Sequence, residues 1–347
     1  MKTREKSRIR GAIADPTPVA LVSGFLGSGK TTLLNALLRQ PALRNTAVIV
    51  NEFGEIGFDH LLIETAFEDA VLLKSGCVCC TVRGDLTDAI VTLDTRVRRG
   101  EIPRFERIAI ETTGLADPAP IVAMLLENAQ LASLVRLDRV VVTADAVNAA
   151  AQLDANYETA KQAALADVLV LTKTDLVAPS PRAALEARLR ALNPSAAIVA
   201  AVNGAITAET LFAATPSALR VVAGDVDAHG GHDHGHDPSP DHLLRHHGIS
   251  TFALTHDAPI AWPALAAWLE AVAAFKGPTL LRLKGLVNVA GRGGPVVLDA
   301  VQHLVHAPRE LPRWPDADRR TRLVFITRGL VKDAVARSFA AAVAARS

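Results

Sequence analysis

The residues best suited to chemistry lie in one glycine-rich segment near the start of the chain, Val19–Thr32. An apolar run opens this segment and a helical pattern, Lys30–Leu38, follows it, which is the setting of a phosphate-binding loop. In such a loop backbone N–H groups surround the phosphates, a lysine neutralises their oxygens and a hydroxyl binds Mg²⁺. The residues that match these roles are Gly24, Gly27, Ser28, Gly29, Lys30, Thr31 and Thr32. The sequence therefore predicts a site for a nucleoside triphosphate and Mg²⁺.

In addition to Lys30, two acidic residues are candidates for catalysis. Glu111 ends an apolar run, and Gly114 follows it three residues later. In phosphate-loop enzymes an acid at this place supports Mg²⁺ or the attacking water, and the glycine N–H can contact the γ-phosphate. Glu52 lies in an acidic loop that suits either a switch sensing the γ-phosphate or an ordinary polar connection. Leu115 replaces the glutamine that orients water in Ras-like proteins, so we expect slow hydrolysis without assistance.

The choice of base is predicted from Thr172, Lys173 and Asp175, which stand at the end of another apolar run. A carboxylate there accepts two hydrogen bonds from guanine, while the lysine stem packs along the ring and adenine offers the wrong pattern. Leaving such a carboxylate buried and unpaired costs of order several kcal/mol. We therefore expect GTP and GDP to bind in preference to ATP, with Thr172 standing where asparagine is more usual.

Three cysteines lie within four residues, at Cys77, Cys79 and Cys80, and the chain has no others. A disulfide between such close neighbours would be strained. Thiolates at this density suit Zn²⁺ or Cu⁺, and three of them leave one position of a tetrahedral zinc site open for exchange. Metal binding is favoured, with redox chemistry and inert packing as the alternatives. The distribution also indicates a reducing compartment, so we expect a cytoplasmic protein.

Most of the histidines lie in residues 215–248, among Gly, Asp and Pro. Such a composition cannot bury a core, and imidazoles bind Zn²⁺, Co²⁺ or Ni²⁺. The candidate metal ligands of this segment are His232, His234 and His236. We expect a His-rich flexible linker that stores metal or passes it on, and a solvated spacer is the alternative.

Alternating strands and helices must position these candidates. Apolar runs rich in Val, Ile, Leu and Ala alternate with helical patterns through residues 17–214, which predicts an α/β domain with a mostly parallel sheet covered on both faces. Its strands are predicted at Val19–Val22, Ala47–Asn51, Val71–Leu73, Arg107–Glu111, Arg139–Thr143, Val168–Thr172 and Ala197–Ala201. Its helices include Lys30–Leu38, Asp85–Arg98 and Pro181–Leu192. Ligand sites of such sheets lie at the carboxyl ends of the strands, where the nucleotide candidates stand.

The remainder of the chain predicts a flexible N-terminal tail over residues 1–16 and a smaller α+β domain over residues 249–347. In that domain strands are predicted at Ile249–Leu254, Leu280–Val289, Pro295–Leu298, Val301–His306 and Arg322–Thr327, and helices at Trp262–Phe275 and Leu330–Ala344. No catalytic constellation stands out in it. We expect it to dock a client or to respond to the nucleotide-binding domain.

Composition excludes several classes of partner. The 347 residues carry a net charge of +1 and are 50% hydrophobic, with no apolar run long enough to span a bilayer. The first ten residues are basic but lack the apolar core of a secretory signal. We therefore expect neither a nucleic-acid partner nor a membrane partner.

Five motifs in order resemble the CobW-like family of metal-handling GTPases: Gly24–Thr32, Asn51–Gly54, Gly76–Cys80, Glu111–Pro118 and Thr172–Asp175. Residues Arg282–Gly285 and Trp314–Asp316 are similar to its C-terminal domain. The resemblance implies a phosphate-loop GTPase domain joined to a smaller CobW-type domain. It further implies a GTPase that binds zinc or cobalt through the three cysteines and passes it to a client metalloprotein under control of the nucleotide.

The resemblance leaves other functions and partners open. One alternative is a cobalt or nickel insertion factor, acting in cobalamin synthesis or nitrile hydratase maturation. Another is a zinc buffer without enzymatic activity, in which the nucleotide site is a vestige. A homodimer is a further assembly that the sequence does not decide.

Overall fold

The computed structural model describes residues 15–43, 45–50, 72–74, 82–212, 247–276 and 279–344. In these ranges the chain forms two sheets, a parallel one of seven strands and an antiparallel one. Within the same ranges no helix is both long enough and apolar enough to cross a membrane. The expected fold, a phosphate-loop α/β domain followed by a smaller α+β unit, is confirmed.

The first sheet is parallel at every strand pair, and its central strands are Val/Ile/Leu-rich runs buried on both faces. Its strand order is β3-β2-β4-β1-β5-β6-β7. The strands are β1 (Thr17–Gly24), β2 (Thr46–Val50), β3 (Leu72–Lys74), β4 (Arg107–Glu111), β5 (Val135–Asp145), β6 (Val168–Thr172) and β7 (Ala197–Ala201). Three of the predicted strands have the predicted bounds, and β5 is longer than expected at both ends.

Seven α-helices accompany this sheet in the described part of the chain. They are α1 (Lys30–Leu38), α2 (Val82–Arg98), α3 (Ala119–Glu127), α4 (Ala149–Ala155), α5 (Tyr157–Leu165), α6 (Pro179–Leu192) and α7 (Ala208–Phe212). Short 3₁₀ turns cover Pro41–Leu43 and Thr174–Leu176. Leucines of α1 pack on one face of the central strands. Helices α2, α3, α5 and α6 supply most of the helical side of the largest apolar core, which lies on the other face.

The strand register decides which residues meet at the carboxyl edge of the sheet. Glu111 pairs with Val22 of β1 on one side and with Val50 of β2 on the other. Lys74, the last residue of β3, pairs with Val50. The loops that follow β1, β2, β3 and β4 therefore begin side by side at one edge, as the parallel arrangement predicts.

The second sheet has the order β11-β10-β9-β13-β8, with β12 paired to β10. Its elements are β8 (Ile249–His256), α8 (Trp262–Lys276), β9 (Leu280–Val287), β10 (Val296–Val301), β11 (Leu304–Val305), β12 (Arg309–Glu310), β13 (Thr321–Arg328) and α9 (Lys332–Ala344). Helices α8 and α9 pack on one face, where Trp268 contacts both Phe325 and Phe339. On the opposite face Ile249, Val301 and Ile326 join the core of the first sheet.

The prediction of a continuous strand over Val301–His306 is wrong. β10 ends at Val301, Gln302 has a positive φ of 54°, and β11 returns antiparallel at Leu304–Val305. The chain therefore makes a tight hairpin inside an apolar stretch. The turn residues Gln302 and His303 lack the usual Asn-Gly pattern, so the local sequence does not signal a reversal.

A cluster of buried charges joins the two sheets at the amino edge of the parallel one. Asp167 directly precedes β6, and its Oδ1 accepts hydrogen bonds from Arg282 Nη2 at 2.7 Å and from Lys284 Nζ. Arg282 also contacts Asp299 Oδ2 at 3.0 Å and donates from Nη1 to the carbonyl oxygen of Leu165 at 2.8 Å. Burial acts to raise the pKa of Asp167, but the charges of Arg282 and Lys284 hold it well below its usual range.

Candidate functional site

The phosphate loop between β1 and α1 has backbone angles that require glycine at its two ends. Gly24 has φ +139° and Gly29 has φ +91°, both in the region that L side chains rarely adopt. A Cβ on Gly24 would also lie 2.3 Å from Thr143 Oγ1, because β5 passes directly beside it. The loop therefore keeps its backbone close to β5 and leaves α1 to begin at Lys30 with its N–H groups facing the loop.

Lys30 is folded back over this loop. Its Nζ donates to the carbonyl oxygens of Gly24 at 2.9 Å and Phe25 at 3.0 Å, and the side chain is buried. A buried ammonium held over a turn of backbone is suited to phosphate oxygens, which accept a charge-assisted hydrogen bond more strongly than neutral carbonyls do. The structure thus places the predicted phosphate-binding lysine at the loop it was expected to serve.

Thr31 and Glu111, predicted separately, lie in direct contact. Thr31 Oγ1 donates to Glu111 Oε1 at 2.6 Å, and Glu111 is 5% exposed. A hydroxyl and a carboxylate at the edge of a phosphate loop are the oxygen ligands that Mg²⁺ accepts alongside phosphate and water. The donor set therefore fits a magnesium ion bound with the nucleotide.

The loop after Glu111 touches the phosphate loop at Gly114. A Cβ on Gly114 would lie 2.6 Å from the backbone nitrogen of Leu26, so only glycine fits there without a shift of the backbone. From the other side Gln162 Nε2 donates to the carbonyl oxygens of Ala116 at 3.0 Å and Gly114 at 3.3 Å. The predicted γ-phosphate sensor is thus held between the phosphate loop and helix α5.

The predicted base-binding residues are also tied to the phosphate loop. Thr172 Oγ1 donates to the carbonyl oxygen of Ser28 at 2.7 Å, so its hydroxyl anchors the loop. Lys173 has φ 55°, and its Nζ donates to the carbonyl oxygen of Gly27 at 2.9 Å. Asp175 lies in the following 3₁₀ turn with an exposed side chain, where it can accept hydrogen bonds from a bound base.

Asp145 completes this arrangement, although the sequence reasoning missed it. Its side chain is 1% exposed and accepts hydrogen bonds from Lys173 Nζ at 2.7 Å, Val147 N at 2.8 Å and Asn148 Nδ2 at 2.9 Å. Burial acts to raise the pKa of Asp145, but the hydrogen bonds from Lys173, Asn148 and Val147 lower it overall. The signal that could have found it is an acid at the carboxyl end of β5, which the sequence prediction ended two residues too early.

We expect Asp145→Asn to weaken the binding of GTP and GDP alike by about tenfold. The change removes the charge that holds Lys173 across the phosphate loop, and a hydrogen bond to a charged group contributes roughly 1.5–3 kcal/mol. Titration with a fluorescent GDP analogue measures the effect. Asp154→Asn is the matched control, because Asp154 forms an exposed ion pair with Arg188. Unchanged affinity in Asp145→Asn would show that Lys173 needs no such support.

Several predicted site residues lie outside the described ranges. They are Glu52, the three cysteines Cys77, Cys79 and Cys80, and the histidines His232, His234 and His236. Among the residues that the structure does describe, no group of three or more His, Cys, Asp or Glu side chains could hold a metal ion. The predicted metal ligands therefore remain predictions from sequence.

Comparison with known proteins gives matches to two family models. Residues 18–200 match the model described as CobW/HypB/UreG, nucleotide-binding domain. Residues 249–343 match the model described as the cobalamin synthesis protein CobW C-terminal domain. The first match covers more than half of the chain.

Individual relatives support the same grouping. The zinc chaperone YjiA of Escherichia coli is 31% identical over 328 residues, covering 94% of this chain and 98% of YjiA. The zinc-regulated GTPase metalloprotein activator 1 of Schizosaccharomyces pombe is 34% identical over 197 residues, 55% of this chain and 47% of that protein.

A solved structure agrees over nearly the whole length. A Zn(II)-bound triple mutant of the YjiA GTPase superposes with a TM-score of 0.67 at 26% identity, covering 94% of this chain and 99% of the mutant. The two family models and the full-length relative YjiA thus indicate the same family. The arrangement of the site agrees with them, since the phosphate loop, Glu111 and Thr172–Asp175 meet at one edge of a parallel sheet. The chain therefore belongs to the CobW-like family of metal-handling GTPases.

Proposed function

We propose that the protein is a GTP-dependent zinc metallochaperone. GTP is bound at the phosphate loop and hydrolysed to GDP and phosphate. Zn²⁺, or Co²⁺ as the alternative cargo, is bound as substrate by the thiolates of Cys77, Cys79 and Cys80. The metal passes to a client metalloprotein under control of the nucleotide, in the reducing cytoplasm that keeps the thiols free.

The names of the relatives support zinc as the cargo. YjiA is called a zinc chaperone and its solved structure holds Zn(II), and the Schizosaccharomyces pombe relative is called a zinc-regulated activator of metalloproteins. Three thiolates leave a fourth tetrahedral position that a client ligand can take, which favours exchange over permanent binding.

The position of β3 in the sheet is the observation that supports control of the metal site by the nucleotide. Lys74 ends β3 at the carboxyl edge, in register with Val50, which in turn pairs with Glu111. Cys77 follows Lys74 by three residues, and three residues of extended chain span at most about 11 Å. Chain length therefore limits Cys77 to within about 11 Å of the end of β3. This limit supports direct coupling between metal and nucleotide.

Several described residues are suited to binding the phosphates and the metal ion in GTP hydrolysis. Lys30, which contacts loop carbonyls here, would bind β- and γ-phosphate oxygens instead, and the N–H of Gly114 would contact the γ-phosphate. Thr31 and Glu111 would hold Mg²⁺, which neutralises phosphate charge when bound. Leu115, 56% exposed, offers no polar group to orient water. Hydrolysis should therefore be slow without metal or client.

Binding linkage makes this proposal testable. If GTP weakens zinc binding by some factor, zinc must weaken GTP binding by the same factor. The experiment is a competition titration of Zn²⁺ and of Co²⁺ against a chelator, with GDP and with a non-hydrolysable GTP analogue. It is repeated on the triple variant Cys77→Ser/Cys79→Ser/Cys80→Ser and on the control His232→Ala/His234→Ala/His236→Ala.

We expect at least a tenfold difference in zinc affinity between the two nucleotides in the wild type, within the 5- to 150-fold range typical of coupled sites. The difference should vanish in the cysteine variant and persist in the histidine variant. Tight binding that ignores nucleotide and survives loss of the cysteines would instead favour a zinc buffer in the His-rich segment. A clear preference for Co²⁺ over Zn²⁺ would favour a cobalt insertion factor.

A further inference from the structure

Helix α5 contacts the Gly114 loop through two consecutive residues. Gln162 is fully buried, and its amide donates to the carbonyl oxygens of Ala116 and Gly114. Lys161 Nζ lies 2.5 Å from Asp117 Oδ2 in a partly exposed ion pair. Helix α5 therefore contacts residues 114–117 through two hydrogen bonds and one ion pair.

These contacts act on the stretch of loop that borders the phosphate site. Gly114 lies so close to Leu26 that a Cβ would overlap the Leu26 backbone. Asp117 also accepts a hydrogen bond from the backbone nitrogen of Ala119 at 3.0 Å, where helix α3 begins. A shift of the Gly114 N–H toward a γ-phosphate would therefore pull on Gln162 and Lys161.

The end of the same helix carries the contact with the C-terminal unit. The carbonyl oxygen of Leu165, the last residue of α5, accepts the 2.8 Å hydrogen bond from Arg282 of β9. Two residues later Asp167 pairs with Arg282 and Lys284. Since a helix of nine residues is a stiff element, its two ends cannot move independently.

We infer that helix α5 couples the γ-phosphate-sensing loop to the C-terminal domain, with Gln162 and Lys161 as positioning residues for Gly114. The hydrogen bonds from Gln162 hold the loop carbonyls so that the Gly114 N–H points at the phosphate site, and Arg282 transmits the position of the helix to β9. This inference rests on the proposed GTP-dependent function. It concerns nucleotide discrimination and not the metal site.

The test compares nucleotide affinities without zinc. Gln162→Met keeps the size of the side chain and removes both N–H donors. We expect it to weaken binding of a non-hydrolysable GTP analogue about tenfold while GDP affinity stays unchanged, because GDP has no γ-phosphate for Gly114 to contact. Lys161→Met should act in the same direction and less strongly, because its ion pair is partly exposed. Thr159→Val is the matched control, since Thr159 lines the same small cavity as Gln162.

A second measurement tests the coupling between helix α5 and the C-terminal domain. Hydrogen exchange of the β9 amides, Leu280–Val287, should differ between the GDP and GTP-analogue complexes of the wild type, and the difference should shrink in Gln162→Met. Equal exchange in both wild-type complexes would overturn the coupling. The positioning role of Gln162 would be overturned if Gln162→Met left the ratio of GTP-analogue to GDP affinity unchanged, whether or not both affinities fell. It would also be overturned if Thr159→Val changed that ratio equally. Because no readout uses zinc, failure of the metal proposal leaves this test intact.

Discussion

Lys30→Met is expected to lower kcat/KM for GTP hydrolysis by about 10²- to 10³-fold, the usual effect of removing one preorganised donor aimed at developing charge. The buried ammonium is already held at the phosphate loop by the carbonyl oxygens of Gly24 and Phe25. Methionine has a similar length and no charge, so the loop would keep its volume and lose its cation. Phosphate release measured over a range of GTP concentrations gives the effect.

The control for this prediction is Lys332→Met, which alters an exposed lysine at the start of α9. It should leave kcat/KM unchanged. The separate effects on kcat and KM are also informative. Loss of a lysine that binds the γ-phosphate most strongly in the transition state lowers kcat as well as raising KM. Retention of more than a tenth of wild-type kcat/KM in Lys30→Met would contradict the role assigned to Lys30.

Asp167→Asn is expected to lower the free energy of unfolding by about 3–5 kcal/mol, because it leaves two buried cations without their shared anion. Arg282 and Lys284 are each 1% exposed, and Asp299 alone cannot compensate both charges at the same distances. Urea unfolding at neutral pH measures the loss. Asp154→Asn is the matched control, because its exposed ion pair with Arg188 is expected to contribute under about 1 kcal/mol.

The pH dependence of the free energy of unfolding provides a second test of the buried pairing of Asp167. The pKa of Asp167 is lower in the folded protein than in the unfolded chain, so its contribution is complete above about pH 4, the usual pKa of an aspartate. That contribution declines as the pH falls toward the lowered pKa of the folded state. Wild-type protein should therefore lose more stability than Asp167→Asn between pH 5 and pH 3. Parallel stability curves for the two proteins over this interval would contradict the pairing.

The local sequence was sufficient for the elements that carry the nucleotide site. Strands β4, β6 and β7 and helix α1 lie at the predicted residues because each is a short apolar or amphipathic run between clear breaks. The glycines of the phosphate loop follow a strand and open a helix, so their backbone role could be predicted from type and spacing. The contact between Thr31 and Glu111 agrees with the same rule, since Glu111 ends β4 and Thr31 lies in the first turn of α1, the helix that follows β1.

Only the tertiary structure decided which charged and polar side chains meet over long chain separations. Asp145 and Lys173 lie 28 residues apart, and Asp167 and Lys284 lie 117 apart. Gln162 reads in the sequence as one polar residue in a helix, yet it is buried against the carbonyls of Gly114 and Ala116. Periodicity tells which side of an element is buried, whereas the partner across the interface depends on how whole elements pack. The sequence thus determined the fold class and the phosphate site, and packing decided how the C-terminal unit connects to them.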